Sequence, residues 1–163
     1  MSEQLHPHWR IQYIRTRKEP GAGSPFAALL AANEDEANLI LHRGPCCFVI
    51  LNNSPYNPGH LMVLPNREVG ELAELTAEER AEMMDLLVRC QAVLQKVMSP
   101  AGFNMGLNLG KAAGAGIPTH LHFHIVPRWE GDHNFMPVIG DTRVLPQALA
   151  ELWTRLKPAF AAA

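Results

Sequence analysis

Cysteine is scarce in this chain: Cys46, Cys47 and Cys90 are the whole complement in 163 residues. An odd count with no C-x-x-C pair argues against a disulfide framework and against a cysteine-rich metal site. Basic runs are also missing. Fourteen Lys and Arg face sixteen Asp and Glu, for a net charge of −2 with histidines neutral, so no surface for duplex nucleic acid is expected. No stretch reaches the roughly 18 apolar residues of a membrane span. The opening MSEQLHPHWR has no apolar core of a signal peptide. There is no internal repeat and no low-complexity tract. These absences lead us to expect a soluble, cytoplasmic chain with neither a nucleic-acid nor a membrane partner.

The residues that are present point to one folded domain. Nearly half of them (47%) are apolar, which rules against disorder, and the length suits a single core. Proline opens a short helical stretch at 25–33. NLILH (38–42) and CCFVIL (46–51), separated by Arg43-Gly44-Pro45, read as a hairpin. A turn-rich loop, NNSPYNPG (52–59), precedes a strand at 60–64. Thr76 and Glu79 form a capping-box pattern that opens a helix at 77–98. Phe103 to Leu109 alternates as a half-buried strand, a glycine-rich loop fills 110–118, and a last helix covers 146–157. Strands do not alternate regularly with helices, so the expected class is α+β with an antiparallel sheet, one long helix and terminal helices.

The chemistry lies in His120-Leu121-His122-Phe123-His124-Ile125-Val126. On a strand at 120–126, alternate side chains share a face roughly 6.6 Å apart. Three imidazoles would then line one face while Leu121, Phe123 and Ile125 anchor the other. Packing does not explain such a row, because each ring carries polar atoms that need partners. The spacing by itself fits a histidine metal site and phosphoryl chemistry equally. Two surroundings favour the second. Gly110 to Gly116 offers backbone amides for phosphate oxygens, and no Asp, Glu or Cys is near in sequence to complete a metal shell.

HLHFHIV resembles the signature of the histidine-triad family. Asn57-Pro58-Gly59-His60-Leu61-Met62-Val63 is similar to that family's Pro-Gly-His segment, and Pro127-Arg128-Trp129-Glu130-Gly131-Asp132 resembles its fragile-histidine-triad and bacterial diadenosine tetraphosphate phosphorylase-like branch. Asp132 to Val144 further resembles the phosphorylase-like group. The likeness spans about 38–157 within one domain, 1–163, and leaves 1–37 as an N-terminal extension. It implies a nucleotidyl hydrolase or transferase that cleaves dinucleoside polyphosphates at the α-phosphate. His122 is the implied nucleophile, forming a nucleotidyl-histidine, with His60, His120 and His124 orienting it and stabilising charge. Asn52 is the implied ribose contact. Asn108, Gly116 and Thr119 are further candidates for the ribose or phosphates, and Ile50 and Met62 flank either the base or the core. Alternatives are a nucleoside phosphoramidase of the same family, a nucleotide-binding regulator and a histidine metal-binding protein.

The likeness also implies a homodimer built through the long helix and a sheet continued across the two-fold axis. A broad apolar arc on that helix, from Met83 and Met84 to Val93 and Leu94, fits a partner surface. Two departures carry expectations. Many bacterial relatives hold a structural zinc with a Cys-x-x-Cys, a histidine after the Pro-Gly-His strand and a triad histidine. Here Ser24 and Ala27 stand at the cysteine positions and Glu68 at the histidine position, so no structural zinc is expected. Magnesium is expected only as a companion of the substrate. The fragile-type hydrolases carry Gln four residues before the first triad histidine, where this chain has Gly116. That glycine favours inorganic phosphate over water as the acceptor.

Overall fold

The computed structural model describes residues 23–132 and 148–162. The α+β expectation holds. Three α-helices are present among these residues: α1 (Pro25–Ala32), α2 (Ala77–Met98) and α3 (Leu149–Ala161). Five strands, β1 (Ile40–Arg43), β2 (Cys47–Leu51), β3 (Leu61–Pro65), β4 (Gly102–Gly106) and β5 (Phe123–Arg128), form one sheet ordered β1-β2-β3-β5-β4. Every pairing is antiparallel. The last strand therefore inserts between β3 and the edge strand β4, which brings the histidine segment to the middle of the sheet.

Alternation sorts the side chains onto two faces. Leu41, Val49, Leu51, Leu61, Val63 and Ile125 pack against the apolar stripes of α2 and α3. Phe48, Ile50, Met62 and Leu64 point the other way and pack with Phe26 of α1 and with Ile117. The central strands β2 and β3 are buried along their whole length, as continuous apolar runs require. Burying each such Leu or Ile stabilises the fold by about 1.5–3 kcal/mol.

Local signals explain the element ends. Thr76 Oγ1 accepts from Glu79 N at 3.2 Å, and Glu79 returns a carboxylate oxygen to Thr76 N at 2.8 Å. That is the capping box read from the sequence, reinforced by the Arg67–Glu79 ion pair at 2.6 Å. β4 stops at Gly106 rather than reaching Leu109. The last helix begins in the described residues at Leu149. Its expected start at Pro146, the stretch from His133 to Val144 and most of the N-terminal extension lie outside the described residues.

Candidate active site

Pairing register assembles the site. Ile40 lies opposite Ile50, Ile50 opposite Met62, Met62 opposite His124, and His124 opposite Gly106. One row thus crosses the whole sheet on the α1 face, with three apolar side chains ending at a histidine. Gly59 delivers His60 to the same place. Its φ of +79° suits glycine, and a Cβ there would come within 2.8 Å of Met98 Sδ and 3.1 Å of Pro127 Cγ. Tyr56 then stacks on the His60 ring, with centroids 5.0 Å apart and planes 17° apart.

Hydrogen bonds fix the tautomers. Tyr56 N–H donates to His60 Nδ1 at 3.1 Å, so that nitrogen is unprotonated and the His60 proton sits on Nε2. His60 Nε2 donates in turn to His124 Nδ1 at 3.0 Å, which places the His124 proton on its own Nε2. His122 is oriented separately: its Nδ1–H donates to the carbonyl oxygen of His120 at 2.8 Å, and its Nε2 keeps a lone pair. The His122 and His124 rings meet edge to face, with centroids 4.9 Å apart. Burial pushes the His122 imidazolium below its ordinary value of 6.5, against the opposing pull of the His120 carbonyl. The ring is therefore neutral near pH 7.

His120 departs from the expected arrangement. The three histidines do not share one strand face: β5 starts at Phe123, so only His124 lies within the ladder. Before Phe123 the chain leaves β3, and Leu121 N–H bonds instead to Val69 O at 2.8 Å. His120 is turned inward and fully buried. Its Nε2 donates to Pro65 O at 2.8 Å and its Nδ1 accepts from Ser24 Oγ at 2.7 Å. His122 is also buried, at 8% exposure, against Phe26 at 5.5 Å between ring centroids.

The other candidates divide. Asn52 reaches the histidines, with Nδ2 3.4 Å from His60 Nδ1, while its Oδ1 accepts from Ser54 N at 2.8 Å. Asn108 lies beyond β4 and lines an open cavity of about 330 Å³ with Tyr56, Gly106, His124, Val126 and Arg128. Gly116 is half-buried between the buried Ala115 and Ile117. Thr119 is exposed and hydrogen-bonds the Glu68 carboxylate. Ile50 and Met62 join Phe26 and Ile117 in the apolar wall beside the histidines. Sequence reasoning missed Phe26 and Tyr56. The one signal for Tyr56 was its place in the turn-rich run just before His60.

The resemblance implies zinc ligands at three positions beside His120, which are Ser24, Ala27 and Glu68 in this chain. Ser24 and Glu68 do meet at His120, but Ser24 Oγ is engaged by Phe26 N–H at 3.2 Å and by His120. The Glu68 carboxylate takes Ser24 N–H at 2.8 Å, and Ala27 supplies no donor. A zinc site wants thiolate, imidazole or carboxylate ligands in a tetrahedron, and this set does not fit one. Among the described residues no three His, Cys, Asp or Glu side chains cluster as metal ligands, and His60 and His124 are spent on each other.

The HIT domain family model matches residues 32–131. A protein named AP-4-A phosphorylase from Mycobacterium tuberculosis is 41% identical over 156 residues, covering 91% of this chain and 80% of that one. The asymmetrical bis(5'-nucleosyl)-tetraphosphatase of Schizosaccharomyces pombe is 34% identical over 93 residues, covering 57% of this chain and 50% of its own length. Among solved structures, a Zn-bound histidine triad family protein from Mycobacterium smegmatis superposes with a TM-score of 0.70 at 23% identity, covering 86% of this chain and 94% of that chain. The likeness at that identity is one of fold.

Proposed function

This chain belongs to the HIT domain family, and from that premise we propose that it is an enzyme cleaving dinucleoside polyphosphates at the α-phosphate through a nucleotidyl-histidine on His122. The observation that carries the reading is the 2.8 Å bond from His122 Nδ1 to the His120 carbonyl, which commits the Nε2 lone pair of a buried, neutral ring to attack. The likeness to AP-4-A phosphorylase over most of the chain supports diadenosine tetraphosphate as the model substrate.

The first step forms a bond between His122 Nε2 and the α-phosphorus. The α–β bridging P–O bond breaks, and its electron pair leaves with the nucleoside polyphosphate. Positioning and charge stabilisation carry most of such a transfer. The Tyr56–His60–His124 chain holds a proton on His124 Nε2, a donor for phosphate oxygens. In the second step an oxygen of inorganic phosphate attacks the same phosphorus, the P–N bond breaks and its electrons return to His122. From diadenosine tetraphosphate the products are ATP, then ADP. Gly116 supports phosphate as the acceptor, since it replaces the amide side chain of the hydrolases with space and a backbone N–H. The base lies against Ile50 and Met62, and Asn52 and Asn108 serve the sugar and phosphates.

The same reading includes a homodimer and a cytoplasmic location. Among the described residues β4 is an edge strand with Met105 exposed, and this, with the exposed Met84 and Val88 on α2, supports a dimer through sheet edge and long helix. The experiment is to incubate the protein with diadenosine tetraphosphate labelled at the α-phosphate, quench in base and look for an acid-labile adduct, then titrate phosphate. An adduct, and a rate of ADP formation that rises with phosphate, are expected. No adduct would overturn the covalent reading; AMP plus ATP at a rate indifferent to phosphate would overturn the acceptor.

A further inference from the structure

One hydroxyl group, Ser24 Oγ, joins the N-terminus of α1 to the histidine segment. It accepts from Phe26 N–H at 3.2 Å and donates to His120 Nδ1 at 2.7 Å. The direction of the second bond follows from His120 Nε2, which must be protonated to donate to Pro65 O. Ser24 N–H is in turn held by Glu68 Oε2 at 2.8 Å, and Glu68 is tied to Thr119, the residue before His120. Both residues of the Ser24–His120 junction are out of water, Ser24 being 3% exposed and His120 fully buried.

Two consequences meet at His122. The His120 backbone carbonyl orients the His122 ring, and that carbonyl belongs to a residue pinned at both ring nitrogens. Phe26, whose N–H sits on the Ser24 hydroxyl, packs its ring against both His120 at 5.7 Å and His122 at 5.5 Å. The hydroxyl thus fixes the carbonyl on one side of His122 and the aromatic ring on another. A buried network with every member satisfied specifies a single arrangement, and a ring displaced by a fraction of an ångström loses attack geometry.

We propose that Ser24, braced by Glu68, is a positioning residue for nucleotidyl transfer: a clamp of hydroxyl, carboxylate and imidazole that sets the His120 ring, and through it the attacking nitrogen of His122. The inference rests on the reading of His122 as nucleophile and adds residues to which that reading assigns no part. It also explains why the zinc donors fit so poorly, since the clamp uses the same His120 nitrogen for a hydroxyl proton.

The test is single-turnover formation of the His122 adduct with labelled diadenosine tetraphosphate, comparing wild type, Ser24→Ala, Ser24→Thr, Glu68→Ala and Asn38→Ala. Asn38 bonds Leu29 O at 3.1 Å and so loosens α1 without touching His120. Ser24→Ala should slow adduct formation about 10- to 100-fold at saturating substrate, a range ordinary for misplaced catalytic geometry. Ser24→Thr, which keeps the hydroxyl, should recover most of that rate. Asn38→Ala, at a similar loss of melting temperature, should react at the wild-type rate. The histidine-ring 15N spectrum should report an Nε2–H tautomer for His120 in both proteins, held by Pro65 O, with the Nδ1 resonance shifted in Ser24→Ala by loss of the hydroxyl proton. A Ser24→Ala rate within twofold of wild type overturns the clamp, as does an equal slowing in Asn38→Ala, which would reduce it to stability alone. Should Ser24→Ala fail to fold, the exposed Glu68→Ala decides: a three- to tenfold slowing supports the clamp and an unchanged rate overturns it. Absence of adduct in the wild type would instead sink the reading of His122.

Discussion

His122 Nδ1 lies 2.8 Å from the carbonyl oxygen of His120. Two members of the same triad are joined by backbone rather than by ring, and their parts differ accordingly. The His120 side chain is spent on Pro65 and Ser24, and what reaches His122 is its carbonyl. The His122 side chain, held at one nitrogen, presents the other. His124 belongs to a second chain of bonds through His60 to the Tyr56 amide.

Replacing His122 with alanine should abolish turnover by several orders of magnitude, because the covalent acceptor is gone. Since His122 is buried against Phe26 and His124, the change should also cost about 1–3 kcal/mol, the scale of partial cavity formation. Adduct trapping and denaturant unfolding check the two halves. Activity within about tenfold of wild type would assign the nucleophile elsewhere.

The pH dependence follows from burial. Burial lowers the imidazolium pKa of both His120 and His122 from the ordinary 6.5. His122 therefore stays neutral below the pH at which a free imidazole protonates, and single-turnover adduct formation should be flat from pH 8 to 6.5, falling only below it. The unfolded chain binds protons on these residues at about pH 6.5 while the native state does not. Their contribution to stability is thus present above that pH and declines as pH falls beneath it. Unfolding free energy at pH 7.5 and 5.5 should differ in that sense; an acid limb starting above pH 7 contradicts the assignment.

Arg128 grips Asp132 with two bonds, Nε to Oδ2 and Nη2 to Oδ1, each 2.7 Å. Those bonds, with Trp129 N–H and Asn57, hold the Asp132 carboxyl well below the usual carboxylate range. Asn57 also reaches Pro127 O at 3.1 Å, so this cluster ties the loop bearing Tyr56 to the end of β5. Asp132→Asn should lower stability by about 1–3 kcal/mol at neutral pH. The loss should shrink below about pH 4, where the wild-type advantage itself is lost. It should also raise the KM for dinucleotide, by loosening Tyr56 and His60. Equal melting temperatures at pH 7 would contradict it.

Long periodic signals carried much of the fold. The apolar spacing from Met83 to Leu94 and the Thr76–Glu79 pair mark α2 at the bounds observed, and the continuous apolar runs at 46–51 and 60–64 become β2 and β3. Alternation misled at 120–122. Period two is a local property, whereas the end of β5 is set by where β3 turns away and Val69 O captures Leu121 N–H. The histidines as a group were legible because polar rings amid apolar residues demand a purpose. The clamp was not, because Ser24 and His120 are 96 positions apart and nothing local marks their meeting. Phe26 looked like an ordinary apolar residue of a short helix for the same reason.

The homodimer can be tested by weight. Most of the apolar arc on α2 is used within the chain, with Met83, Leu86, Leu87, Cys90, Val93 and Leu94 all buried and only Met84 and Val88 of that helix exposed among its large apolar residues. The larger contribution to a dimer is therefore expected from β4, an edge strand among the described residues. Light scattering at micromolar concentration should give twice the 18.0 kDa chain mass, and Met105→Lys on β4 should weaken the association. A wild-type monomer would rule the dimer out.

The last prediction is that protein purified without added zinc carries none in stoichiometric amount. The His120 Nδ1 lone pair is directed at the Ser24 hydroxyl, 2.7 Å away. A metal there would have to displace that proton and then find three further donors. Serine hydroxyl is a poor zinc ligand, Ala27 has no donor atom, and Glu68 is already committed to Ser24 N–H and Thr119. Two or fewer good ligands leave the tetrahedral shell open to water, far from the closed set of a structural site. The resemblance in sequence also implies how to reverse the outcome. Ser24→Cys, Ala27→Cys and Glu68→His together would surround the same nitrogen with two thiolates and a second imidazole, and that triple variant should take up about one zinc per chain. Metal analysis after mild chelation reads both proteins. About one retained zinc per wild-type chain would contradict the prediction; zinc in the triple variant alone is the expected result.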